Sequence, residues 1–221
     1  MTTTEELIAR LSADLRPVHR LAPPLRRAAA WLAFALMVIV AAVAWHGPRP
    51  DLADRLADAQ EMIQWLASAA TGVLATIAAF QLALPDRSPR WVLLPVPAAV
   101  LWVGTLGAGC LADVLRIGPQ ALVPGVSWGC MGFILGLGIP LSGSLVWLLR
   151  YAAGIRPLPV AAMGGLAGAA LSAAGLWLFH ELDGAAEALV WHVGMTLVVV
   201  GLFLAFGRSW ETRATARFTA A

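Results

Sequence analysis

Two cysteines and four histidines are the side chains of this sequence best suited to bind a metal or to respond to oxidation. Thiolates and imidazoles are ligands for transition metals, so Cys110, Cys130, His180 and His192 form a candidate metal site. The cysteines lack the C-x-x-C spacing of thiol oxidoreductases, and the histidines lack the H-x-x-x-H spacing of helical zinc sites. Three interpretations therefore stay open: a transient metal site with no resident cofactor, a disulfide, or two thiols packed as small apolar side chains.

The sequence contains no recognisable catalytic motif. A G-x-S-x-G nucleophile elbow and a Walker-type glycine loop are both missing. The glycine-rich stretches are apolar and fall inside long hydrophobic runs. We therefore expect a protein that is not an enzyme.

The composition is that of an integral membrane protein, and this is the frame that must position the cysteines and histidines. Of 221 residues, 60% are hydrophobic and 13% are charged, whereas soluble domains carry about 25% charged residues. Ten tryptophans against one tyrosine are typical of helices with interfacial anchors. Apolar runs of about 20 residues predict an all-α polytopic bundle of six transmembrane helices in the lipid bilayer. The predicted spans are 28–45, 62–84, 91–111, 126–149, 158–179 and 185–206.

The distribution of arginine predicts the orientation of this bundle. The chain has no lysine, and all but three of its 15 basic residues fall on the side that holds both termini. The three exceptions are Arg49, Arg55 and Arg116. Because cytoplasmic loops carry the excess of positive charge, both termini are predicted to be cytoplasmic and both cysteines periplasmic. The arginine, alanine and leucine usage suggests a GC-rich bacterium and thus its inner membrane. A net charge of +2 is too small to indicate direct binding of nucleic acid.

Residues 1–27 form a predicted cytoplasmic segment ahead of the first span, and residues 207–221 form a cytoplasmic tail. Thr3 and Glu6 have the spacing of a helical capping box, and Pro17 ends the predicted helix. Between them, apolar side chains follow one helix face at three- and four-residue spacing. These side chains are Leu7, Ile8, Leu11 and Leu15. A helix this short cannot bury such a stripe alone, so it must lie on the membrane, on its own bundle or in the groove of a partner.

Small residues recur at four-residue spacing in two spans, and this spacing lets helix backbones approach closely. They are Gly132 and Gly136 in the fourth span, and Gly164, Gly168 and Ser172 in the fifth. We expect both sets to pack inside the bundle, and the sequence leaves the oligomeric state open. No span carries a charged residue near its middle, which counts against proton-coupled transport.

A family resemblance is carried by short stretches that follow one another in a fixed order within the six-span frame. They are Leu7-Ile8, Leu11, Asp14-Leu15, Pro17-Val18, Arg20-Leu21, Pro23-Pro24, Arg27, Trp31-Leu32, Trp91–Pro95, Trp102, Gly109–Leu111, Cys130, Leu148–Arg150, Pro157, Gly164–Gly168 and Trp191. Together they resemble the NrsF-type (negative regulator of sigma F) membrane anti-sigma factors over nearly the whole chain.

The resemblance implies both a function and a partner. Such proteins hold a sigma factor of the extracytoplasmic-function type at the inner membrane, and release it when periplasm-facing cysteines register metal or oxidative stress. The alternative function is a small transporter or a membrane redox subunit, neither of which would need the N-terminal segment.

The same resemblance implies site residues. We hypothesise that the sigma factor binds the N-terminal segment through its apolar stripe and through nearby arginines. The residues concerned are Leu7, Ile8, Leu11, Leu15, Arg10, Arg16 and Arg20. Cys130 matches a sensing cysteine of the family. The family's other sensing cysteine follows the histidine that closes the fifth span, but His180 is followed here by Glu181. Either Cys110 takes that role or this chain senses its signal differently.

Overall fold

The protein is a bundle of helices. A computed structural model describes residues 3–13, 21–123, 125–150, 156–180 and 184–219, without the side chains of Leu11 and of residues 210–219. Within these ranges every element of regular secondary structure is a helix, and six of the helices are long and apolar enough to cross a membrane. The predicted all-α class with six candidate spans is therefore confirmed. The helices are α1 (Thr4–Ala13), α2 (Pro24–His46), α3 (Leu52–Ala57), α4 (Ala59–Leu82), α5 (Val96–Ile117), α6 (Trp128–Leu149), α7 (Pro157–Trp177), α8 (Ala185–Ala188) and α9 (Gly194–Thr219).

The helix boundaries follow from proline and glycine. Pro24 and Pro157 lie in the first turns of α2 and α7, where a missing N–H costs nothing. Gly47 and Gly118 end α2 and α5 with φ of 82° and 91°, a conformation open to glycine. Because Pro24 is part of its first turn, α2 begins four residues before the predicted first span. At the other end of the chain, α9 continues through most of the predicted tail, and a π-helical turn, Leu189–Val193, joins it to α8.

Helix α7 is the centre of the bundle. In its most apolar 18-residue window 89% of the residues are buried, against 22% in α2 and 17% in the span that contains α5. It packs against α2, α4, α6 and α9. A helix that is apolar all round is suited to a buried position, and the many glycines and alanines of α7 let four neighbours approach it.

The same four-residue spacing of glycines leads to close helix packing in α7 but not in α6. A Cβ atom on Gly168 would lie 2.6 Å from the backbone nitrogen of Ser142 and 2.7 Å from the carbonyl oxygen of Gly138. Close packing of α7 inside the bundle is thereby confirmed. The prediction was wrong for Gly132 and Gly136, because a Cβ atom built on either has no described atom within 4 Å apart from the nearby backbone of its own helix and its chain neighbours. Their spacing is the same, but they lie on the outer face of α6.

Among the described side chains, three tryptophans donate indole hydrogen bonds from one helix to another. Trp31 of α2 bonds the hydroxyl of Ser144 on α6 at 3.0 Å, and Trp65 of α4 bonds the carbonyl of Ala174 on α7 at 3.0 Å. Trp177 of α7 donates to the carboxylate of Glu61 on α4 at 3.1 Å. These indoles join helices within the bundle, a role that the expectation of interfacial anchors did not include.

The loops fall into two groups at opposite ends of the bundle. Contacts from Arg49 to Leu178 and from Trp191 to Gly125 join the loops of one end, and a bond from Arg156 to the carbonyl of Arg87 joins loops of the other. We call the first the acidic end and the second the arginine-rich end. The acidic end carries Asp51, Asp54, Asp58, Glu61 and Asp113. The arginine-rich end carries Arg26, Arg27, Arg87, Arg90, Arg150 and Arg156.

At the acidic end a chain of ion pairs ties α3 and α4 to the C-terminal end of α7. We call it the Arg49 network, made of Arg49, Asp51, Arg55, Glu61 and Trp177. Arg49 donates from Nε and Nη2 to Asp51, at 2.5 and 2.9 Å, and from Nη1 to the carbonyl of His180 at 3.2 Å. Arg55 bridges Asp51 and Glu61, at 3.2 and 2.5 Å. The Arg49 side chain is only 3% exposed, so removing one partner would leave a buried charge uncompensated.

The glycine contact predicts a large effect of a single methyl group. We expect Gly168→Ala to destabilise the bundle by about 1–3 kcal/mol, because backbone atoms of α6 occupy the position of the new Cβ atom. The matched control is Gly136→Ala, which meets open space and should leave stability unchanged or raise it by up to about 1 kcal/mol. Thermal unfolding in detergent measures both. Equal unfolding temperatures for the two variants would contradict the packing described for α7.

The Arg49 network predicts a dependence on acid pH. The hydrogen bond from Arg49 is the main cause that lowers the pKa of Asp51 to about 2, from an ordinary value of 3.8. Because the folded state favours the carboxylate, its contribution to stability is present above pH 3.8 and is lost as the pH falls towards 2. The unfolding temperature of the wild type should therefore fall more steeply across this interval than that of Asp51→Asn. Parallel pH curves would show that the Asp51 ion pairs do not stabilise the fold.

Candidate functional site

Two regions contain the residues singled out from the sequence: helix α1, and the acidic end around Cys130. Helix α1 begins with the predicted capping box, which is confirmed. The backbone nitrogen of Glu6 donates to the Thr3 hydroxyl at 3.3 Å, and that of Thr3 donates to the Glu6 carboxylate at 3.1 Å. These two bonds satisfy backbone donors that the first helical turn would otherwise leave unpaired.

Every side chain described in α1 is exposed. Leu7 is 51% and Ile8 61% exposed, so the described apolar side chains of the stripe are not buried against the bundle. Leu11 lies in α1, but its side chain is not among those described. The other predicted contact residues, Leu15, Arg16 and Arg20, lie outside the described residues, whereas Arg10 is an exposed cation in the last turn. Helix α1 thus presents apolar surface that no described part of the chain covers.

Both cysteines are buried free thiols. Cys130 is fully buried in an apolar cluster with Trp102, Leu106 and Ile134, and Cys110 is 8% exposed. Cys130 lies in the first turn of α6, where its backbone nitrogen donates to the hydroxyl of the N-cap residue Ser127 at 3.4 Å. No disulfide joins the cysteines, and the packing that surrounds Cys130 is that of a small apolar side chain.

Three of the four histidines lie in this region. Nε2 of His180 forms a 3.2 Å hydrogen bond with Ser127 Oγ, and the ring of His46 stacks on Phe179 with centroids 4.6 Å apart. His192 is 2% exposed, and its Nε2 has no hydrogen-bond partner among the described residues. Over those residues, no three histidine, cysteine or acidic side chains lie together as a group that could hold a metal ion. The four predicted metal ligands are therefore not assembled as one site.

Sequence reasoning missed two residues that position Cys130. Ser127 caps α6 and contacts His180, while Arg49 binds the backbone carbonyl of that same histidine. A continuous set of hydrogen bonds thus runs from the Arg49 network to the first turn of α6. A serine three residues before Cys130 is a recognisable N-cap signal. Nothing in the sequence links Arg49 to His180, 131 residues away, since only the packing of α2 beside α7 brings them together.

This geometry suits a conformational response better than it suits bond-making chemistry. The first turn of α6 is held by one capping serine, one histidine and an apolar cluster. Any group added to the Cys130 sulfur would enter a space that is already filled. The first turn of α6 would then have to shift, and the hydrogen bonds to His180 would shift with it.

Comparison with known proteins agrees with the sequence resemblance. The model of the family described as negative regulator of sigma F matches residues 11–210. The anti-sigma-F factor NrsF of Caulobacter vibrioides (strain NA1000 / CB15N) is 29% identical over 174 residues, which cover 76% of each chain. No solved structure matches this chain significantly. The family match extends from within α1 to the end of the sixth candidate span, so the chain belongs to the NrsF family of negative regulators of sigma F.

Proposed function

We propose that this protein sequesters a sigma factor of the extracytoplasmic-function type at the bacterial inner membrane, and releases it on a periplasmic metal or oxidative stress signal. The observation that carries the proposal is α1, a capped helix whose described side chains are all exposed, ahead of six candidate spans. An amphipathic helix with an uncovered apolar stripe is suited to the groove of a partner protein. Its connection to the bundle would hold that partner at the membrane.

The proposed interface centres on the apolar stripe of α1. Burying Leu7 or Ile8 in a partner contributes about 1.5–3 kcal/mol each, offset in part by the cost of ordering the segment. Arg10 places a positive charge beside the stripe and favours a partner with acidic groups at the edge of its groove. The proposed interface also includes Leu11, Leu15, Arg16 and Arg20.

The proposed orientation places α1 in the cytoplasm. Helix α1 precedes α2, which starts at the arginine-rich end of the bundle. Positive charge is concentrated on the cytoplasmic side of membrane proteins, so this end would face the compartment in which sigma factors meet RNA polymerase. The acidic end, with Cys130 and Cys110, would then face the periplasm.

The proposed switch is the first turn of α6. Buried thiols react only when local opening exposes them, and the Ser127 cap with its bond to His180 controls that opening for Cys130. An oxidised or metal-bound sulfur would no longer fit the apolar cluster, so the opened arrangement would be favoured. A signal shifts such an equilibrium only by its different affinity for the two arrangements.

A charge placed in the stripe tests the interface. We expect Ile8→Asp to abolish recovery of the sigma factor with the chain purified from its native membranes, because an unpaired carboxylate would be buried in the groove. Ala9→Asp introduces the same charge on the opposite face of α1 and should leave recovery unchanged. Mass spectrometry of the bound proteins provides the measurement.

Two results would contradict this interface. One is equal recovery of the sigma factor by Ile8→Asp and wild type, and the other is equal recovery by a chain that lacks residues 1–20. If even the full-length chain recovers no sigma factor, the alternative of a small transporter or a membrane redox subunit is favoured.

A second experiment tests the sensing thiols. Cys130→Ala removes the sulfur and keeps a small apolar side chain in the cluster, so the variant should still hold the sigma factor at the membrane. It should no longer release it after treatment of cells with hydrogen peroxide or a soft metal ion. The fraction of sigma factor in the membrane pellet, before and after treatment, reports both properties. Normal release by both Cys130→Ala and Cys110→Ala would show that the thiols serve only in packing.

A further inference from the structure

A cavity at the acidic end is used neither by the sequence motifs nor by the proposed function. It has a volume of about 500 Å³ and lies between α3 and the start of α4 on one side and the C-terminal turns of α5 on the other. Trp177 of α7 and Ala188 of α8 also line it. Cavities that bind small molecules have volumes of about 300–1,000 Å³.

The charges around this cavity are balanced. Three arginines and three carboxylates line it, the arginines being Arg49, Arg55 and Arg116 and the carboxylates Asp58, Glu61 and Asp113. The pair of Arg55 and Glu61 belongs to the α3–α4 wall, and the pair of Arg116 and Asp113 belongs to the α5 wall. A ligand of one charge sign would meet as much repulsion as attraction, so the balance favours a ligand that carries both signs.

Several polar groups of the lining have capacity left after the contacts of the described residues are counted. Asp58 uses one carboxylate oxygen, Oδ1, to cap α4, which leaves Oδ2 without a partner there. Arg116 uses one N–H donor, towards Asp113, out of the five of a guanidinium. The side-chain amides of Gln60 and Gln64, which also line the cavity, take part in none of those hydrogen bonds. A guanidinium that can bind an anion thus remains on one wall, and a carboxylate oxygen that can bind a cation remains on the opposite wall. Two side-chain amides lie beside them.

We propose that this cavity binds a small zwitterion that carries an ammonium group and a phosphate or carboxylate, as a zwitterionic phospholipid headgroup does. The anionic group binds Arg116, and the ammonium group binds Asp58. Gln60 and Gln64 hydrogen-bond the atoms that join the two groups. Charge-assisted bonds to a guanidinium and to a carboxylate are the stronger polar contacts available to such a ligand. The α5 wall belongs to the span that the bundle buries least, and a lipid and a soluble molecule are both candidate sources of this ligand chemistry.

Calorimetric titration of the full-length chain in detergent with phosphoethanolamine tests the proposal. We expect saturable binding that Arg116→Gln and Asp58→Asn each weaken at least tenfold. Asparagine is as good an N-cap as aspartate, so Asp58→Asn removes the charge and keeps the start of α4. Asp54→Asn is the matched control, because Asp54 is an exposed carboxylate of neighbouring α3 that does not line the cavity.

Three results would overturn the proposal: no saturable heat, equal weakening by Asp54→Asn, or equally tight binding of ethanolamine or phosphate alone. A second arm identifies the source of a zwitterion that binds. The unfolding temperature is compared between phosphatidylethanolamine and phosphatidylglycerol nanodiscs. If it is higher in phosphatidylethanolamine, and if Asp58→Asn removes the difference, the site is assigned to a lipid headgroup. Equal unfolding temperatures, together with saturable phosphoethanolamine binding, assign it to a soluble zwitterion.

Discussion

The close approach of α7 to its neighbours is the constraint on which the rest of this structure depends. Lipid tails are as apolar as leucine, so helices in a bilayer gain little from hiding apolar side chains from it and associate mainly through contact and hydrogen bonds. At Gly168 the backbone of α6 lies where a methyl group would be. That contact allows one helix to be surrounded by four others, and it places the ends of α7 within reach of the loops around it.

The C-terminal end of α7 shows what this central position achieves. The end of a helix leaves backbone carbonyls unpaired. Here Arg49 donates hydrogen bonds to two carbonyls, from its backbone nitrogen to Leu178 and from its side chain to His180. The same arginine is held by Asp51, and through Arg55 and Glu61 the contacts return to Trp177. The ring of His180 in turn contacts the cap of α6. The acidic end is therefore one connected structure, whereas the described side chains of α1, which joins the bundle at the opposite end, are all exposed.

Much of the fold could be predicted because the responsible interactions are local in sequence. Apolar runs of sufficient length, prolines at helix starts and the Thr3–Glu6 capping box all act within one helix or one turn, and the structure contains each of them. The two glycine pairs show where such reasoning stops. Gly164 and Gly168 face α6, while Gly132 and Gly136 face outwards, because spacing defines a stripe on a helix but not the direction in which the stripe points.

The sequence by itself determined the membrane character of the chain, the number of candidate spans, the amphipathic first helix and the family resemblance. The first three depend on composition or on residues within a few turns of one another, and the resemblance depends on short stretches and their order along the chain. Only the tertiary structure decided that both thiols are buried, that His180 and Arg49 support the first turn of α6, and that balanced charges surround a cavity. Those features join residues such as Arg49 and His180, which are 131 positions apart. Their proximity follows from how four helices pack around α7, a property that no local pattern contains.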